Sequence, residues 1–268
     1  MELALISRQS DRTGLCRGDL TYRGTEDSQK NELQPHLKRT WCLGKLDNRF
    51  LARMELILAL YAPPYDQNYP VVCFDERPCF LIGDEVEPLA LQSGQVRKEH
   101  CAYEKFCSCG LLAVIEPLTG RRVAQVHLHR TKREYASFIQ ALADQLPQAK
   151  KIRVVQDNLS THDISAFYEN LPADEALALA DCFEFSFTPK SVSWPNMIAI
   201  GFSALSRLCL NPRIPTLERW EKEILVLIAQ RDAAHIQIHW EFSIHSARSK
   251  LNSHYVRVQS DNQKFKET

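Results

Sequence analysis

Two aspartates stand out because each directly follows a short apolar run typical of a buried strand. Asp75 ends the run "VVCF" and Asp157 ends the run "RVVQ". In α/β folds the ends of strands border the crevice where ligands bind, and two carboxylates that converge there favour a hard cation such as Mg²⁺. The alternative is that each aspartate merely opens a turn, as Asp-Asn pairs often do. The matching positions strengthen the metal interpretation, and both interpretations stay open at this point.

A third acidic ligand would be expected for phosphoryl chemistry, which commonly uses two metal ions. The place to look is the segment after the fifth apolar strand, where no residue from Ser191 to Ser206 is charged. From Trp194 onward the spacing predicts a helix with one small apolar face, and a second face is available to border a polar crevice. That second face comprises Asn196, Ala199, Ser203 and Ser206. Its first-turn position, where the helix dipole favours an anion, is Ala199.

Basic side chains are the candidates for contact with an anionic polymer. The stretch "GRRVAQVHLHRTKRE" includes Lys132 and Arg133 at the start of a predicted helix. It is equally consistent with phosphate contacts and with a solvated hairpin followed by a helix. Lys190, in the "TPK" turn beside the predicted crevice, is the better single candidate for a phosphate contact.

The segment "HCAYEKFCSC" contains cysteine and histidine without the arrangement of a zinc site. Structural zinc sites usually pair their ligands on two separate knuckles, whereas this segment has one Cys-x-Cys at 107–109 in a predicted strand. We therefore interpret these thiols as packed side chains. The chain also has no glycine-rich phosphate loop and no Gly-x-Ser-x-Gly nucleophile elbow.

Composition places few limits on function. The 268 residues include 33 basic and 33 acidic side chains, so bulk charge gives no support for nucleic acid or a membrane surface, although a local basic patch would suffice to bind DNA. No secretory signal or membrane-spanning run is evident. Nine cysteines without such a signal predict reduced thiols and a cytoplasmic protein.

The elements that would position these residues alternate between strand and helix. The predicted order begins with three strands. The first carries Asp75, and the second is the run "CSCGLLAVIEP". A helix capped by Thr131 and stopped by Pro147 follows them. A strand ending at Asp157, a helix at 173–180, the strand "CFEFSFTP" and further helices complete the order. This order predicts an α/β fold with a mixed five-stranded sheet flanked by helices.

Several motifs together resemble bacterial insertion-sequence transposases of the mariner-related branch of the DDE endonuclease superfamily. The motifs are "VVCFDERP", "RVVQDNLSTH", "FTPKSVSWPNM", "LSRLCL" and "RIP", and the segments "KNELQPHLKRTWC" and "FLARMELILALYAPPYD" resemble the linker that precedes the catalytic half. The match runs from about Lys30 to Tyr255. The resemblance implies an RNase H-like fold, two Mg²⁺ (or Mn²⁺) ions, and DNA cleavage followed by strand transfer of transposon ends.

Asp75 matches the family's first catalytic and metal-binding aspartate, and Asp157 matches the second. The third acid of the family is a glutamate on the helix after Trp-x-Asn-Met, and Ala199 occupies that position. Gly201 replaces a second glutamate that often follows. His162 belongs to the family's Asp-Asn-x-x-x-His pattern, and it either orients Asp157 or DNA or caps the next helix. The resemblance therefore implies an incomplete two-ion site.

The N-terminal part also departs from the family, whose members begin with a helix-turn-helix region. Residues 1–29 show no such pattern. We expect a poorly ordered tail at 1–29, a helical linker at 30–65, a catalytic domain at 66–255 and a polar tail at 256–268. The implied partners are double-stranded DNA (transposon ends and target) and a second copy of the chain, in the cytoplasm at the nucleoid.

Three functions are consistent with these observations. The first is a working transposase, and the second is a transposase-type endonuclease domain impaired by Ala199, which we favour. The third is a non-enzymatic DNA-binding or oligomerising remnant of a transposase.

Overall fold

The computed structural model describes residues 46–89, 94, 100–190, 192–209 and 213–262, with side chains omitted at 207–209. The expected tail at 1–29 and the linker up to residue 45 lie outside these ranges.

A five-stranded mixed sheet forms the centre of the protein, in the order β3-β2-β1-β4-β5. The strands are β1 (Val71–Asp84), β2 (Tyr103–Ile115), β3 (Arg122–His127), β4 (Ile152–Gln156) and β5 (Phe183–Phe187). β1, β2 and β3 pair antiparallel, while β4 is parallel to both β1 and β5. The predicted fold class is confirmed.

Helices cover the sheet. They are α1 (Asn48–Tyr61), α2 (Lys132–Gln145), α3 (Ser165–Asn170), α4 (Ala173–Asp181), α5 (Ile198–Cys209), α6 (Leu217–Ala233), α7 (Ile244–Lys250) and α8 (Asn252–Val258). The Thr131 side chain caps α2 in a reciprocal capping box with Glu134, as the sequence predicts for the cap. None of the helices in the described ranges is long and apolar enough to cross a bilayer.

Side chains that alternate along the strands divide into two cores. Val72 and Phe74 of β1 pack on one face with α2, α3 and α4, whereas Cys73 packs on the other face with α5 and α6. Both central strands, β1 and β4, are apolar on both faces because helices cover both faces. The carboxyl ends of the buried parts of β1 and β4 therefore point to one edge between the helical layers.

The described part of the expected linker is integral to the body. Phe50, Leu51 and Met54 of α1 are buried with Ala247 and Tyr255 from α7 and α8. Glu55 of α1 also receives two hydrogen bonds from Arg248, at 2.7 and 2.9 Å. α8 continues to Val258, two residues past the expected start of the polar tail at 256, and the domain boundaries stay a prediction.

The first strand is longer than the sequence predicts. Asp75 does not end β1, which continues for nine residues to Asp84 and pairs with β2 along this extension. Charged residues and Pro78 interrupt the apolar run that marks a buried strand. The outer half of β1, in which buried and exposed residues alternate from Pro78 on, therefore lacks that signal. The expectation of packed thiols fails in the same ribbon, since Cys101 and Cys107 are exposed while Cys109 is buried.

Candidate active site

Asp75 and Asp157 occupy matching positions on adjacent parallel strands. The last register pair between β1 and β4 joins Cys73 to Val155. Each aspartate lies two residues further along the chain, Asp75 within β1 and Asp157 directly after β4. Their charges interact, because the Asp157 carboxylate contributes to a raised pKa of Asp75. The structure thus brings together the two carboxylates that the sequence singles out.

Burial dominates the chemistry of Asp75. It raises the pKa of this carboxyl to about 6, against a hydrogen bond from the backbone N–H of Glu76 that lowers it, and the charge of Asp157 raises it further. Oδ1 accepts the Glu76 N–H at 2.8 Å. A carboxylate held in this way is costly to ionise without a nearby cation.

We predict that Asp75→Asn stabilises the cation-free protein in a pH-dependent manner. The folded pKa of about 6 exceeds the usual value of 3.8, so ionisation of Asp75 destabilises the fold above pH 6 and has no effect below about pH 4. A shift of this size corresponds to about 3 kcal/mol at most. Urea denaturation in the presence of a chelator should therefore show a higher free energy of unfolding for Asp75→Asn than for the unmodified chain at pH 8, and no difference at pH 4.

Asp163→Asn is the control. The backbone N–H of Ser165, as the largest cause, lowers the pKa of Asp163, so this variant should lose a little stability at pH 8 instead of gaining it. If both variants gained the same stability at pH 8, burial of Asp75 could not be the cause of the gain.

His162 holds Asp157. The imidazole Nδ1 lies 2.6 Å from Asp157 Oδ1, and the ring is 1 % exposed. Burial alone would lower the pKa of His162, but the hydrogen bonds and charges of Asp157 and Glu76 prevail and raise it to about 9. Burial likewise acts to raise the pKa of Asp157, yet the hydrogen bond and charge of His162 leave it below its usual value. The pair is therefore an imidazolium beside an ionised carboxylate at neutral pH.

A buried network fixes the loop that carries His162. The Tyr135 hydroxyl donates to Gln156 Oε1 at 2.9 Å, and Gln156 Nε2 donates to the His162 carbonyl at 2.8 Å. The imidazole packs against the rings of both Phe74 and Tyr135, at 4.9 and 5.1 Å between centroids. The orientation of Asp157 is thus determined by α2 as well as by its own strand.

Glu76 and Arg130 support the same histidine from the far side, and sequence reasoning missed this role. Glu76 Oε2 lies 3.5 Å from His162 Nε2, while Oε1 accepts from Arg130 at 3.1 Å. A distance of 3.5 Å is long for a hydrogen bond, so the attraction to His162 is mainly electrostatic. The Arg130 stem lies over Gly110, where an added Cβ would approach Cγ to 2.3 Å. An isolated glycine within a strand is the signal that could have indicated this close approach.

The start of α5 is fastened to β1 beside Asp75. Asn196 is 2 % exposed, and its Nδ2 donates to the carbonyl of Phe74 at 2.7 Å. The Tyr61 hydroxyl donates to the carbonyl of Pro195 at 2.8 Å. These two bonds set the position of the first turn of α5 against the strand that carries Asp75.

The helix begins later than the sequence predicts, at Ile198 instead of Trp194. Residues 194–197 form a turn, and Asn196 is buried by its bond to β1, although the periodicity places it on the polar face. Ala199 and Ser203 are exposed, as predicted for that face, whereas Ile198, Phe202 and Leu205 are buried. Ala199 therefore lies in the first turn and outside the core.

The donor set fits a weak site for a divalent ion. Asp75 and Asp157 supply oxygen ligands of the kind that Mg²⁺ and Mn²⁺ prefer. In the parts of the chain that the structure describes, no group of three or more His, Cys, Asp or Glu side chains is placed to hold a metal ion. Two carboxylates fit one loosely held ion, and the Ala199 side chain can supply no third ligand.

Two of the basic side chains in the stretch from 121 to 133 already have intramolecular partners. Lys132 binds Glu169 and Ser165, and Arg122 binds Asp232 at 3.0 Å. Lys190 and Arg133 are exposed. Thr188, two residues before Lys190, donates its N–H to the Gln156 carbonyl at 2.8 Å, which places the "TPK" turn beside the end of β4.

A family model described as "DDE superfamily endonuclease" matches residues 70–221, which is more than half of the chain. The chain belongs to this family. Asp75, Asp157 and Ala199 all lie within the matched segment.

Solved structures support the fold. The Mos1 strand transfer complex matches with a TM-score of 0.52 and 13% identity, covering 98% of this chain and 79% of that one. The Mos1 mariner paired end complex with Mn matches with a TM-score of 0.51 and 14% identity, covering 97% and 78%. No curated protein sequence matched.

Proposed function

We propose that this chain is a transposase-type endonuclease domain that binds DNA and a divalent ion but is impaired in cleavage. The observation that carries the proposal is the arrangement around Asp75. Asp157 directly follows the next strand at the matching position. The helix fastened beside Asp75 carries in its first turn Ala199, the residue that the resemblance aligns with the family's third acid.

Each residue has a defined task in this proposal. Asp75 and Asp157 would hold Mg²⁺ or Mn²⁺, which when bound supplies positive charge that stabilises the transition state of phosphodiester chemistry. His162 holds Asp157 ionised and oriented, and Glu76 with Arg130 supports His162 from behind. Family membership supports the endonuclease class. The similar Mos1 structures, a strand transfer complex and a paired end complex with Mn, support DNA and a divalent ion as ligands.

Ala199 limits the activity. An alanine cannot bind a cation, so a site assembled by two carboxylates loses charge stabilisation that is worth orders of magnitude in rate. The bacterial insertion-sequence origin, which the resemblance implies, remains part of the proposal. We also propose that the body from about residue 46 to residue 262 is the functional unit, because α1 and α8 share one core.

Two assays on one preparation test the proposal. Fluorescence anisotropy with a labelled linear duplex should show binding that weakens steeply with salt, and a supercoiled plasmid with Mg²⁺ or Mn²⁺ should remain intact. Metal-dependent nicking that Asp75→Asn abolishes would contradict the impairment. Absence of DNA binding at low salt would overturn the DNA-directed function.

We predict that Lys190→Ala weakens DNA binding more than Lys132→Ala does. Lys190 is exposed next to the β4 end of the candidate site, whereas Lys132 is held by Glu169. Loss of one phosphate contact should reduce the slope of log affinity against log salt by about one. Salt titrations of the two variants give this slope, and an unchanged slope for Lys190→Ala would exclude the contact.

A further inference from the structure

An exposed tryptophan next to the candidate site has no role in the function described so far. Trp194 is 42% exposed, and it precedes by two residues the Asn196 side chain that binds β1 beside Asp75. Such an exposed indole has an apolar face that other molecules can cover.

A cluster of rings holds Trp194 in place. Its ring stacks on Trp240, with centroids 6.2 Å apart and planes inclined by 6°. Phe242 meets it edge-on at 5.2 Å, and Tyr61 packs against Trp240 at 5.7 Å. The Trp240 indole N–H donates to the Phe242 carbonyl at 2.8 Å. The exposed indole is therefore presented by a supported ring cluster and not by a free loop.

Positive charge accompanies this cluster. The Lys250 ammonium lies over the Phe242 ring, 5.4 Å from its centroid, and Lys190 is exposed four residues before Trp194 in the chain. Aromatic surfaces combined with basic side chains are how proteins bind unpaired nucleic-acid strands, with each base stacked on a ring and the backbone drawn by charge.

Distance along the chain links the cluster to the carboxylates. Two residues span at most about 7 Å, so the Trp194 backbone lies within that distance of Asn196, whose side chain binds the residue before Asp75. A DNA strand with one phosphate at Asp75 and Asp157 would bring a neighbouring nucleotide within reach of Trp194. The ring cluster and the carboxylates then contact one nucleic-acid strand.

We propose that Trp194, supported by Trp240 and Phe242, is a stacking platform for an unpaired base next to the phosphate at the carboxylate pair. This platform rests on the proposed DNA-directed function, and it adds a preference for DNA in which the duplex is opened or ends in a single strand. The platform selects the structure of the DNA and not its sequence, because every base has a face that can stack.

The test compares a blunt duplex with the same duplex carrying a short single-stranded extension. The unmodified chain should bind the extended DNA more tightly, and Trp194→Ala should weaken that binding by about 5- to 150-fold while binding of the blunt duplex changes little. Trp194→Phe, which keeps a ring in the cluster, should have a smaller effect. Leu177→Ala is the matched control, since Leu177 is 61% exposed on α4.

A fluorescent base gives a direct readout. A single 2-aminopurine placed at successive positions of the extension should be quenched at one or two positions near the junction, and Trp194→Ala should remove the quenching. Equal urea midpoints for the variants exclude misfolding as the cause, and if Trp194→Ala unfolds, Trp194→Leu, which keeps an apolar side chain without a ring, carries the same comparison.

Three results would overturn the platform. If Trp194→Ala weakens binding of the blunt and the extended DNA equally, the platform is refuted but the DNA-directed function is not. If the unmodified chain binds both DNAs equally and does not quench 2-aminopurine, the platform is also refuted. A self-association that Trp194→Ala abolishes, without any change in DNA selectivity, would assign the surface to a second copy of the chain. Failure to bind either DNA would instead refute the proposed function itself.

Discussion

Ala199→Glu should convert the protein into a metal-dependent nuclease. Ala199 is exposed in the first turn of α5, so a glutamate fits there without disturbing the core. The α5 dipole favours a negative side chain at this end, and the added carboxylate would complete the set with Asp75 and Asp157. We expect plasmid nicking with Mg²⁺ or Mn²⁺ to rise by about two to three orders of magnitude, the usual effect of one electrostatic group in an active site.

Gly201→Glu is the matched control. A Cβ at Gly201 would meet Ile198 Cδ1 at 3.7 Å, which is an ordinary contact, so this variant should fold and place its charge two positions further along the helix than Ala199→Glu does. Activity from Gly201→Glu alone would show that the missing acid belongs at residue 201. The double variant Asp75→Asn with Ala199→Glu should be inactive, which excludes a contaminating nuclease.

Metal binding separates two kinds of failure. Ala199→Glu should raise Mn²⁺ affinity, measured by calorimetry without DNA, even if cleavage stays low. Tighter metal binding without cleavage would locate the remaining defect in DNA recognition. Unchanged metal binding in a folded variant would mean that residue 199 does not face the carboxylates, and the assignment of the third acid would be wrong.

Gln156→Leu should be strongly destabilising, although Gln156 contacts neither DNA nor metal in the proposal. Gln156 is fully buried at 0% exposure. It accepts from Tyr135 and donates to the His162 carbonyl. Leucine leaves both groups buried without a partner, at about 1–3 kcal/mol each. We expect the free energy of unfolding to fall by about 2–6 kcal/mol in urea denaturation.

A second substitution identifies the source of that loss. Adding Tyr135→Phe to Gln156→Leu removes the orphaned hydroxyl, so the double variant should recover about 1–3 kcal/mol. No recovery would indicate that the loss comes from packing and not from hydrogen bonding. The imidazole resonances of His162 should also broaden in Gln156→Leu, because the loop that holds Asp157 loses its anchor.

Local patterns predict much of this fold. Residues close in sequence predict the Thr131 cap of α2. A repeated apolar pattern predicts the alternation of strand and helix and the matching positions of Asp75 and Asp157 at two adjacent strands. These features depend on short-range rules such as capping and strand periodicity, which one sequence displays directly.

Contacts between distant residues are what the sequence could not supply. Glu76 meets Arg130, 54 residues away, and Asn196 meets Phe74, 122 residues away. The buried position of Asn196 moves the start of α5 to Ile198, which periodicity alone cannot show. Periodicity likewise places Trp194 in a helix. Its actual position depends on ring contacts with Trp240 and Phe242, which are far along the chain and invisible to a local pattern.

The hydrogen bond from Asn196 to the Phe74 carbonyl also separates folding from chemistry in this region. The bond fixes α5 against β1 without any contribution from residue 199, and the exposed Ala199 side chain does not belong to the buried cores. Residue 199 can therefore change with little effect on stability, since substitutions at exposed sites without special contacts are usually close to neutral. Under the proposed function, residue 199 therefore affects cleavage and not folding, so an acid can be exchanged for alanine there while the protein stays folded.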